Sequence, residues 1–504
     1  MQLSVPRRAV ADSKSFPTEP DDVDAWLGGL KPLASDTDAR LVHRGLMHSN
    51  RLHNDPDRRR AVLAHFLPVL DDLQEQLSRL TRAQPLPLVP AFARAASFLE
   101  SLLREEAFAF KILLSDRDEP DPEDARLAMR AFARQVDVAL QGYRRPPTRL
   151  LADAEMLYQF AESASLLDDS RHDERATTED FFRFILLSGI IDTARIRASQ
   201  LPLTLDFLRA SLTAIELRSI DTSTARDRFA VVLGEGVAPA PTPSLIVNDP
   251  DRVRVFGIDT LLDRIDTEIF RTPTARGNLL GVETLEQQTL ERLRTTIGPT
   301  VARRSLRVIT CIELDASFGH KAITSDFLFG PARNGRQPVD DHRRGKGDPW
   351  ILVNRSKGGV CLKNSACRSG SVQVGDLVAF DLPAQAADAE PTESIGQVRW
   401  LRAEEQGLSI GIEYLAHERI PVSVSLRDAE SPFRETGMII DREPGNRAES
   451  SILLPPYLYR VGQILSINEI VADADDKAAT GTMQEWTLIG CLQTNGLFSH
   501  FLLG

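Results

Sequence analysis

Two different periodicities divide the chain, and this division is the strongest constraint on its fold. From about Asp21 to Ile220, apolar residues recur every three or four positions, which is the spacing of one face of an α-helix. Beyond Arg303, short runs of β-branched and apolar residues alternate with Gly, Asp and Asn, a pattern typical of strands joined by turns. The sequence therefore predicts a helical half followed by a β half.

Capping residues mark the starts of several helices. The segments 55–57, 120–124 and 177–180 place Asp, Thr and Pro directly before apolar stretches, where these residue types satisfy free backbone N–H groups or fit the first turn. The gaps between stretches are short, so neighbouring helices are expected to pack antiparallel. We predict seven or eight helices arranged as a helical-hairpin array, without a repeat period that identifies a solenoid family.

The same patterns predict a multidomain α+β protein. Strands at Phe229–Leu233 and Ser244–Val247 and helices at 259–270 and 283–297 are expected between the two halves. In the β half, closely spaced strands with no intervening helix favour a small antiparallel barrel. The predicted segments are a flexible N-terminus (1–20), an all-helical domain (21–220), a mixed strand and helix connecting segment (221–299), a small antiparallel β-barrel (300–418) and a second all-β module packed on it (419–504).

Composition narrows the class of protein. Of the 504 residues, 42% are hydrophobic and 26% charged, as in folded globular proteins. Lys and Arg number 60 against 72 Asp and Glu, and this net charge of −12 argues against a chain that coats nucleic acid or anionic lipid. Four cysteines without a C-x-x-C pair, together with an N-terminus that lacks an apolar signal segment, indicate reduced thiols and a cytoplasmic location.

The residues best suited to bind a ligand lie at the start of the β half. Arg303 and Arg307 are spaced R-x-x-x-R, with Arg304 between them, and the segment from Asn354 to Gly359 follows as N-x-S-x-x-G. Arginine can bind phosphate oxygens with two parallel hydrogen bonds and stack on a purine. Asn and Ser in a turn can hydrogen-bond a base edge, and Gly allows the backbone to approach a ligand.

These motifs resemble the PilZ domain, a bacterial receptor for the second messenger cyclic di-GMP. The family pattern is R-x-x-x-R before the first strand and [D/N]-x-S-x-x-G on the barrel. The segments 375–378, 396–400 and 411–414 are similar to its later "G-x-x-V", "G-x-V-x-W" and "G-I-x-F" strands. The resemblance covers about residues 300–418, whereas the helical half resembles no family that we recognise. The spacing between the two motifs is longer than usual because of a polar insertion from Gly330 to Asp348.

The resemblance implies roles for six residues. Arg303 and Arg307 would clamp the phosphates and stack on the guanines of cyclic di-GMP, and Arg304 could assist. Asn354, Ser356 and Gly359 would contact guanine and ribose. Cyclic di-GMP is then the ligand, and no other cofactor or metal is expected. The arginine-rich insertion is either a second edge of this site or a solvated loop, and we favour the loop.

Other signals carry less weight. Residues 407–411 satisfy G-x-S-x-G, the nucleophile elbow of α/β-hydrolases, but a strand is predicted to continue through them. The four N-terminal histidines, residues 43, 48, 53 and 65, have no i, i+4 pair and favour structural or surface roles. No motif of a nucleotide hydrolase, a cyclic dinucleotide synthase or a phosphodiesterase is present. The sequence therefore predicts a binding protein and no enzyme.

Two hypotheses remain open at this point. In the first, the protein is a cyclic di-GMP effector, and ligand binding re-orients a helical domain that contacts an unidentified protein partner. In the second, it is a scaffold with a degenerate PilZ barrel that binds protein and no nucleotide. In either case we expect no binding of DNA or RNA and no membrane-spanning segment. The downstream process, the oligomeric state and the ligand stoichiometry are not specified by the sequence.

Overall fold

The computed structural model describes most of the chain. The described residues up to 297, apart from Leu86, form one compact unit, and those from 306 onwards form a second unit. The described residues are 3–8, 16–82, 84, 86, 88–167, 176–224, 226–244, 249–271, 284–297, 306–329, 349–365, 372–382, 392–404, 407–417, 419–427, 434–441, 450–472, 478–480 and 483–504.

Helices form the first part of the first unit, as the apolar periodicity predicts. Within the described part of residues 20–209 there are eight α-helices, in agreement with the expected seven or eight, and none of the described helices is long and apolar enough to cross a membrane. They are α1 (Pro20–Gly28), α2 (Asp36–Asn50), α3 (Pro56–Thr81), α4 (Pro90–Asp116), α5 (Pro122–Gln141), α6 (Thr148–Ser163), α7 (Thr178–Gly189) and α8 (Leu201–Arg209).

The predicted caps start three of these helices. The Asp55 carboxylate accepts hydrogen bonds from the backbone at the start of α3, and Asp121 does the same for α5. Thr177 and Asp180 form a reciprocal capping box before α7. Proline also occupies the first turn of α1, α3, α4 and α5, where its missing N–H costs no helical hydrogen bond. The sequence signals for helix starts are therefore confirmed.

Buried ion pairs connect neighbouring helices. Helix α4 packs against α2, α3 and α5, and its Glu105 accepts hydrogen bonds from Arg51 at 2.9 Å and from Asn50 at 3.1 Å. Burial alone would raise the pKa of Glu105, but these hydrogen bonds outweigh burial and lower its pKa. The next residue, Glu106, accepts from Arg130 of α5 at 2.9 Å. Because a buried charge is costly when it is unpaired, removing one partner of either pair would destabilise the packing of α4 against its neighbours.

A small sheet and two further helices complete the first unit. The predicted strand at Phe229 is confirmed, whereas Ser244 lies in a short 3₁₀ turn and the residues after it fall outside the described range. The strands are β1 (Arg218–Ser219), β2 (Phe229–Val232), β3 (Ala240–Pro241) and β4 (Val253–Phe256), in the order β1-β4-β2-β3. The helices, both predicted, are α9 (Asp259–Arg271) and α10 (Leu285–Thr296).

A buried carboxylate attaches helix α6 to the turn after β2. Glu155 is 3% exposed and accepts a 2.7 Å hydrogen bond from the backbone N–H of Gly236. Gly236 has a φ of 68°, and a Cβ there would lie 2.2 Å from the carbonyl oxygen of Thr148. Burial raises the pKa of Glu155 to about 7, and hydrogen bonds from the backbone of residues 234–236 oppose this rise only in part.

We therefore expect Glu155 to make the helical unit less stable as the pH rises. The pKa of Glu155 is raised on folding from roughly 4.3, so its contribution is fully present below that value and is lost as pH rises through about 7. Relative to Glu155→Gln, the unfolding free energy should fall by about 2–3 kcal/mol between about pH 5 and pH 8. Denaturant unfolding at both pH values measures the difference. Parallel pH profiles for the two proteins would contradict it.

The second unit contains a seven-stranded antiparallel sheet that closes on itself, here called the first barrel. Its order is β5-β7-β8-β11-β10-β9-β6. Because only Asp315 separates β5 from β6, the two ends of this order are joined by the chain itself. The strands are β5 (Val308–Leu314), β6 (Ala316–Phe318), β7 (Trp350–Ser356), β8 (Gly359–Asn364), β9 (Leu377–Leu382), β10 (Thr392–Glu404) and β11 (Gly407–Ala416).

One expectation for this barrel is wrong. A helix, α11 (His320–Phe329), lies between β6 and β7, where we expected strands with no intervening helix. Gly319 adopts a φ of 84° and turns the chain out of β6, and Ile323 of the helix is fully buried. The helix was missed because its apolar residues do not repeat at helical spacing over enough turns. The insertion from 330 to 348 lies outside the described residues.

The predicted second β module is also a barrel, here called the second barrel. Its order is β12-β13-β14-β18-β17-β15-β16, and β12 also pairs with β15, which closes a ring of six strands. The strands are β12 (Ile420–Leu426), β13 (Glu435–Asp441), β14 (Ser450–Leu454), β15 (Ile464–Ala472), β16 (Ala478–Thr480), β17 (Gln484–Thr494) and β18 (Ser499–Leu503). Helical N-terminal half and β-barrel C-terminal half thus agree with the predicted multidomain α+β class.

Candidate functional site

Four of the six predicted ligand residues lie in the described chain, at one end of the first barrel. In the register of β5 and β7, Val308 is opposite Arg355, so one further step places Arg307 opposite Ser356. Asn354 pairs with Ile309 on one side and with Cys361 of β8 on the other. The two sequence motifs, which are separated by more than forty residues, therefore meet on adjacent strands. Arg303 and Arg304 lie outside the described residues.

The turn between β7 and β8 holds the second motif in place. The hydroxyl of Ser356 donates a 3.2 Å hydrogen bond to the carbonyl oxygen of Gly359, across a turn made of Lys357 and Gly358. The fold also requires a glycine at position 359, because a Cβ there would lie 2.0 Å from the carbonyl oxygen of Ile412 on β11. Only glycine allows these two strands to approach this closely.

Side chains at this end of the barrel alternate between its core and its outer surface. Leu362 of β8 and Ile410 of β11 are fully buried in the barrel core. Their neighbours Cys361 and Gly411 therefore face outwards, and the two are paired across the strands. Asn354 pairs with Cys361 and so shares the outer face, which we call the motif face and define by β7, β8, β11 and the second half of β10.

An aromatic ring completes the motif face. Trp400 of β10 is paired with Gly411, and a Cβ at Gly411 would lie 1.9 Å from the indole Nε1. The indole ring therefore lies against the backbone of β11, in the same lateral row as Asn354 and Cys361. The guanidinium of Arg402 lies 5.8 Å from the centre of this ring. Sequence reasoning assigned Trp400 to a strand motif but gave it no role in the site.

The charges around the motif face are mostly positive. Arg307 is exposed and forms no ion pair with any described residue. Burial raises the pKa of the Cys361 thiol, and the positive charge of Arg307 opposes that rise, so Arg307 lies close enough to Cys361 to act on its charge. The carboxylate of Glu413, beside Gly359, is hydrogen-bonded to Arg399. An anion at this face would thus meet an available guanidinium and a neutralised carboxylate.

Apolar side chains next to Arg307 are unusually exposed. Leu306 is 95% exposed and Ile309 86% exposed, and Ile309 lies on the motif face beside Asn354. Burial of these two side chains against a ligand or partner would be favourable. This feature could have been suspected from the alternation Leu-Arg-Val-Ile, but only the strand register shows which residues face outwards.

The other sequence signals do not form sites. Strand β11 continues through Ser409, whose hydroxyl donates a 2.7 Å hydrogen bond to Glu404, so the strand–turn–helix of a hydrolase elbow is not formed. His43 contacts Ser101 and His65 contacts Asp24. Within the described ranges, no group of three or more His, Cys, Asp or Glu side chains could hold a metal ion.

A small barrel with this strand order, with Asn-x-Ser-x-x-Gly on one hairpin and an arginine at the entry to the adjacent strand, has the features of the PilZ class. Comparison with family profiles agrees. Residues 334–421 match the profile described as "Cyclic-di-GMP receptor FimW, middle PilZ domain", and residues 21–221 match "Cyclic-di-GMP receptor FimW, N-terminal domain". The chain belongs to the PilZ-domain family, and its N-terminal half is a domain of the FimW type.

The matches also have limits that bear on function. They cover more than half of the chain but begin, for the barrel, after β5 and the arginine motif. Residues 422–504 lie outside both matches. No curated protein matches the sequence significantly.

Proposed function

We propose that this protein is a receptor for cyclic di-GMP and that the motif face is its binding surface. The observation that carries the proposal is the meeting of Arg307, Asn354 and Ser356 on adjacent strands of a PilZ domain, beside an exposed apolar side chain and an indole ring. A cyclic dinucleotide needs cations for its phosphates, polar groups for its base edges and flat apolar surface for its bases. The motif face offers all three.

The proposed contacts follow from this geometry. Arg307, with Arg303 and Arg304 before it, would bind the phosphates and stack on guanine, since guanidinium groups suit both tasks. Asn354 and Ser356 would hydrogen-bond base and ribose atoms, and the Ser356 oxygen can still accept while it donates to Gly359. Gly359 would allow close approach. The Trp400 ring supplies a further stacking surface at the opposite edge.

A calorimetric titration of the full chain with cyclic di-GMP tests the receptor function. Saturable heat is expected, and cyclic di-AMP serves as the control, because it has the same phosphates but different base edges. Weaker binding of cyclic di-AMP would support recognition of guanine by Asn354 and Ser356. Absence of heat with cyclic di-GMP would overturn the proposal.

We also propose that binding acts as a switch. The arginine motif follows directly after a helix of the first unit, so capture of this segment by the ligand would change the position of the helical domain. Burial of Leu306 and Ile309 against the ligand would contribute to this change, since both are almost fully exposed without it.

Small-angle scattering with and without saturating cyclic di-GMP checks the switch. We expect a change in the radius of gyration and in the distance distribution. The same measurement, at the same ligand concentration, on Arg303→Ala combined with Arg307→Ala is the matched control and should show little change. Superimposable curves for the unsubstituted protein, at a ligand concentration where calorimetry shows saturation, would contradict a re-orientation while leaving binding itself intact.

A scaffold that binds protein and no nucleotide is the second candidate. The observation that favours it is that the match to the PilZ family begins at residue 334 and so does not include the arginine motif. Lack of ligand binding together with a partner that is captured equally with and without cyclic di-GMP would support the scaffold. A pull-down under both conditions, with the helical domain as the proposed contact surface, separates the two candidates.

The proposed compartment is the cytoplasm, and the proposed role is binding without catalysis. Among the described residues, Cys311, Cys361 and Cys491 form no disulfide, as suits a reducing compartment. The partner of the helical domain is proposed to be a protein whose identity the chain does not specify.

A further inference from the structure

The two barrels have the same topology. The first barrel runs β5-β7-β8-β11-β10-β9, with closure through β6, and the second runs β12-β13-β14-β18-β17-β15, with closure between β15 and β12. Strand by strand, β13 corresponds to β7, β14 to β8, β15 to β9, β17 to β10 and β18 to β11. This order is one of many that six antiparallel strands could adopt, so its recurrence within one chain indicates a repeated unit.

The turn before β9 in the first barrel and the turn before β15 in the second barrel also have the same hydrogen bonds. In the first barrel, Gly375 has a φ of 97° and its N–H donates to the carbonyl oxygen of Val398 at 2.8 Å, while the Val398 N–H donates to the Asp376 carbonyl at 2.9 Å. In the second barrel, Gly462 has a φ of 90° and donates to Leu488 at 2.7 Å.

The remaining hydrogen bonds of this turn agree too. The N–H of Leu488 donates to the Gln463 carbonyl at 2.9 Å, matching the bond between Val398 and Asp376. The side chain of Asp376 accepts from the backbone of Gln373 at 2.8 Å, and the side chain of Gln463 accepts from the backbone of Arg460 at 2.8 Å.

The faces that correspond to each other nevertheless differ in chemistry. On β7 the outward positions hold Asn354 and Ser356. On β13 they hold Met438 and Ile440, whereas Ile439 between them points into the core of the second barrel. On β13 the counterpart of the motif face is therefore apolar and has no polar group in the place of the Asn-x-Ser motif. Ser451 of β14 and His500 of β18 share this face, and their side chains hydrogen-bond each other at 2.8 Å.

This apolar face is covered by the first barrel. Met438, Ile440 and Leu453 of the second barrel share one buried cluster with residues on the outer side of β9 and β10. All three are at most 1% exposed. At the edge of the cluster, the side-chain amide of Asn495 donates a 3.2 Å hydrogen bond to the carbonyl oxygen of Gly375. The first-barrel residues in the cluster are Leu377, Ala379, Ile395 and Ala416, together with Ile323 of α11.

The second barrel also has no room for an arginine arm. The first barrel is preceded by a segment that carries Arg303, Arg304 and Arg307 before β5 begins. Only residues 417–419 separate the last strand of the first barrel from β12. Three residues that join two packed barrels cannot reach across a bound dinucleotide.

We propose that residues 420–503 are a copy of the ligand-binding barrel that has exchanged ligand binding for attachment to the first barrel. The surface that would bind nucleotide has become a largely apolar surface whose partner is the outer side of β9 and β10 in the same chain. The chain then contains one ligand-binding face, and the second barrel serves as the internal support of the first.

A thiol-protection experiment tests the attachment without any ligand. The full chain carries Ala379→Cys, whose side chain lies in the shared cluster, combined with Met438→Asp. Met483→Asp is the matched control, because Met483 is 62% exposed on the same barrel. Labelling by N-ethylmaleimide is followed by peptide mass spectrometry, which separates residue 379 from the native cysteines. We expect Met438→Asp to accelerate labelling of residue 379 by about tenfold or more, and Met483→Asp to leave it protected.

A second reporter distinguishes separation of the barrels from unfolding. Val424→Cys lies in the core of the second barrel, where Val424 is fully buried. Protection at 424 with exposure at 379 would support two independently formed barrels joined by this surface. Protection at 379 in the Met438→Asp protein would overturn the attachment. Exposure at both positions would overturn the claim that the second barrel is an independent copy.

The loss of ligand binding by the second barrel rests on the proposed receptor function and has its own test. Equilibrium dialysis with cyclic di-GMP should show that Arg303→Ala combined with Arg307→Ala weakens all saturable binding by about 10²- to 10⁴-fold. A saturable site that keeps the affinity of the unsubstituted protein in this variant would overturn the single-face assignment. Absence of binding to the unsubstituted chain would instead contradict the receptor function, and the thiol experiment would still decide the attachment.

Discussion

Replacement of Arg307 by alanine is expected to weaken cyclic di-GMP binding by roughly 10- to 150-fold, since a hydrogen bond to a charged group contributes about 1.5–3 kcal/mol. Replacement of both Arg303 and Arg307 should weaken it by about 10²- to 10⁴-fold on the same basis. The side chain of Arg307 is exposed and unpaired among described residues, so little else in the fold depends on it. Calorimetry or equilibrium dialysis of the full chain measures both effects.

The control for this prediction is another exposed arginine of the same unit. Arg427 of the second barrel pairs with Glu485 at 3.1 Å, far from the motif face in strand order. Arg427→Ala should bind cyclic di-GMP as the unsubstituted protein does. Thermal unfolding should be nearly unchanged in Arg307→Ala, because a surface guanidinium contributes little to stability. Unaltered affinity in the double arginine variant would remove the arginine motif from the site.

Gly359→Ala should destabilise the first barrel by about 3 kcal/mol, whereas its neighbour Gly358→Ala should be nearly neutral. A Cβ at Gly359 would lie 2.0 Å from the carbonyl oxygen of Ile412, and backbone on both sides cannot move away as a side chain could. At Gly358 no atom lies within 4 Å of an added Cβ. The two substitutions are chemically identical and adjacent in sequence, so denaturant unfolding compares packing alone.

This pair of variants also clarifies how Gly359 is to be interpreted as a ligand residue. If Gly359→Ala unfolds the barrel, its loss of binding says nothing about contact with nucleotide. Gly358→Ala with normal stability and normal binding would show that the turn tolerates added volume on its open side. Equal stability of the two variants would contradict the close approach of β8 and β11.

Local signals in the sequence predicted the helices and many of the strands well. Pro56 and Asp55 define the start of α3 because capping involves residues adjacent in sequence, and the same holds for Asp121 at α5. Helix α11 was missed for the opposite reason. Its stability comes from tertiary contacts, because Ile323 is buried against both barrels.

The candidate site shows a similar division. Arg307, Asn354 and Ser356 were found because each belongs to a short motif. Trp400 was not assigned to the site, because it shares a lateral row with Asn354 only through the register of four strands that are distant in sequence. The structural need for Gly359 was equally hidden, since it depends on the backbone of Ile412. Motifs identify residue types, whereas strand register determines which of them meet.

The repeated topology of the second unit is a further case. Its two copies were described from sequence as a barrel and a trailing β module, because outward-facing polar residues in one copy are apolar in the other. Met438 occupies a position on β13 whose counterpart on β7 is polar. The similarity of the two copies lies in the backbone hydrogen bonds of the turns at Gly375 and Gly462. Backbone hydrogen bonds constrain the residue type only weakly, so the sequence shows little of this similarity.

The apolar cluster between the barrels has a consequence for synthesis of the chain. The outer side of β9 and β10, including Leu377 and Ile395, leaves the ribosome before the strands that cover it. At about 5–20 residues per second, the second barrel emerges over a time on the order of ten seconds. During that time a nascent first barrel presents uncovered apolar surface, so ribosome-associated chaperones should bind it until translation reaches the C-terminus.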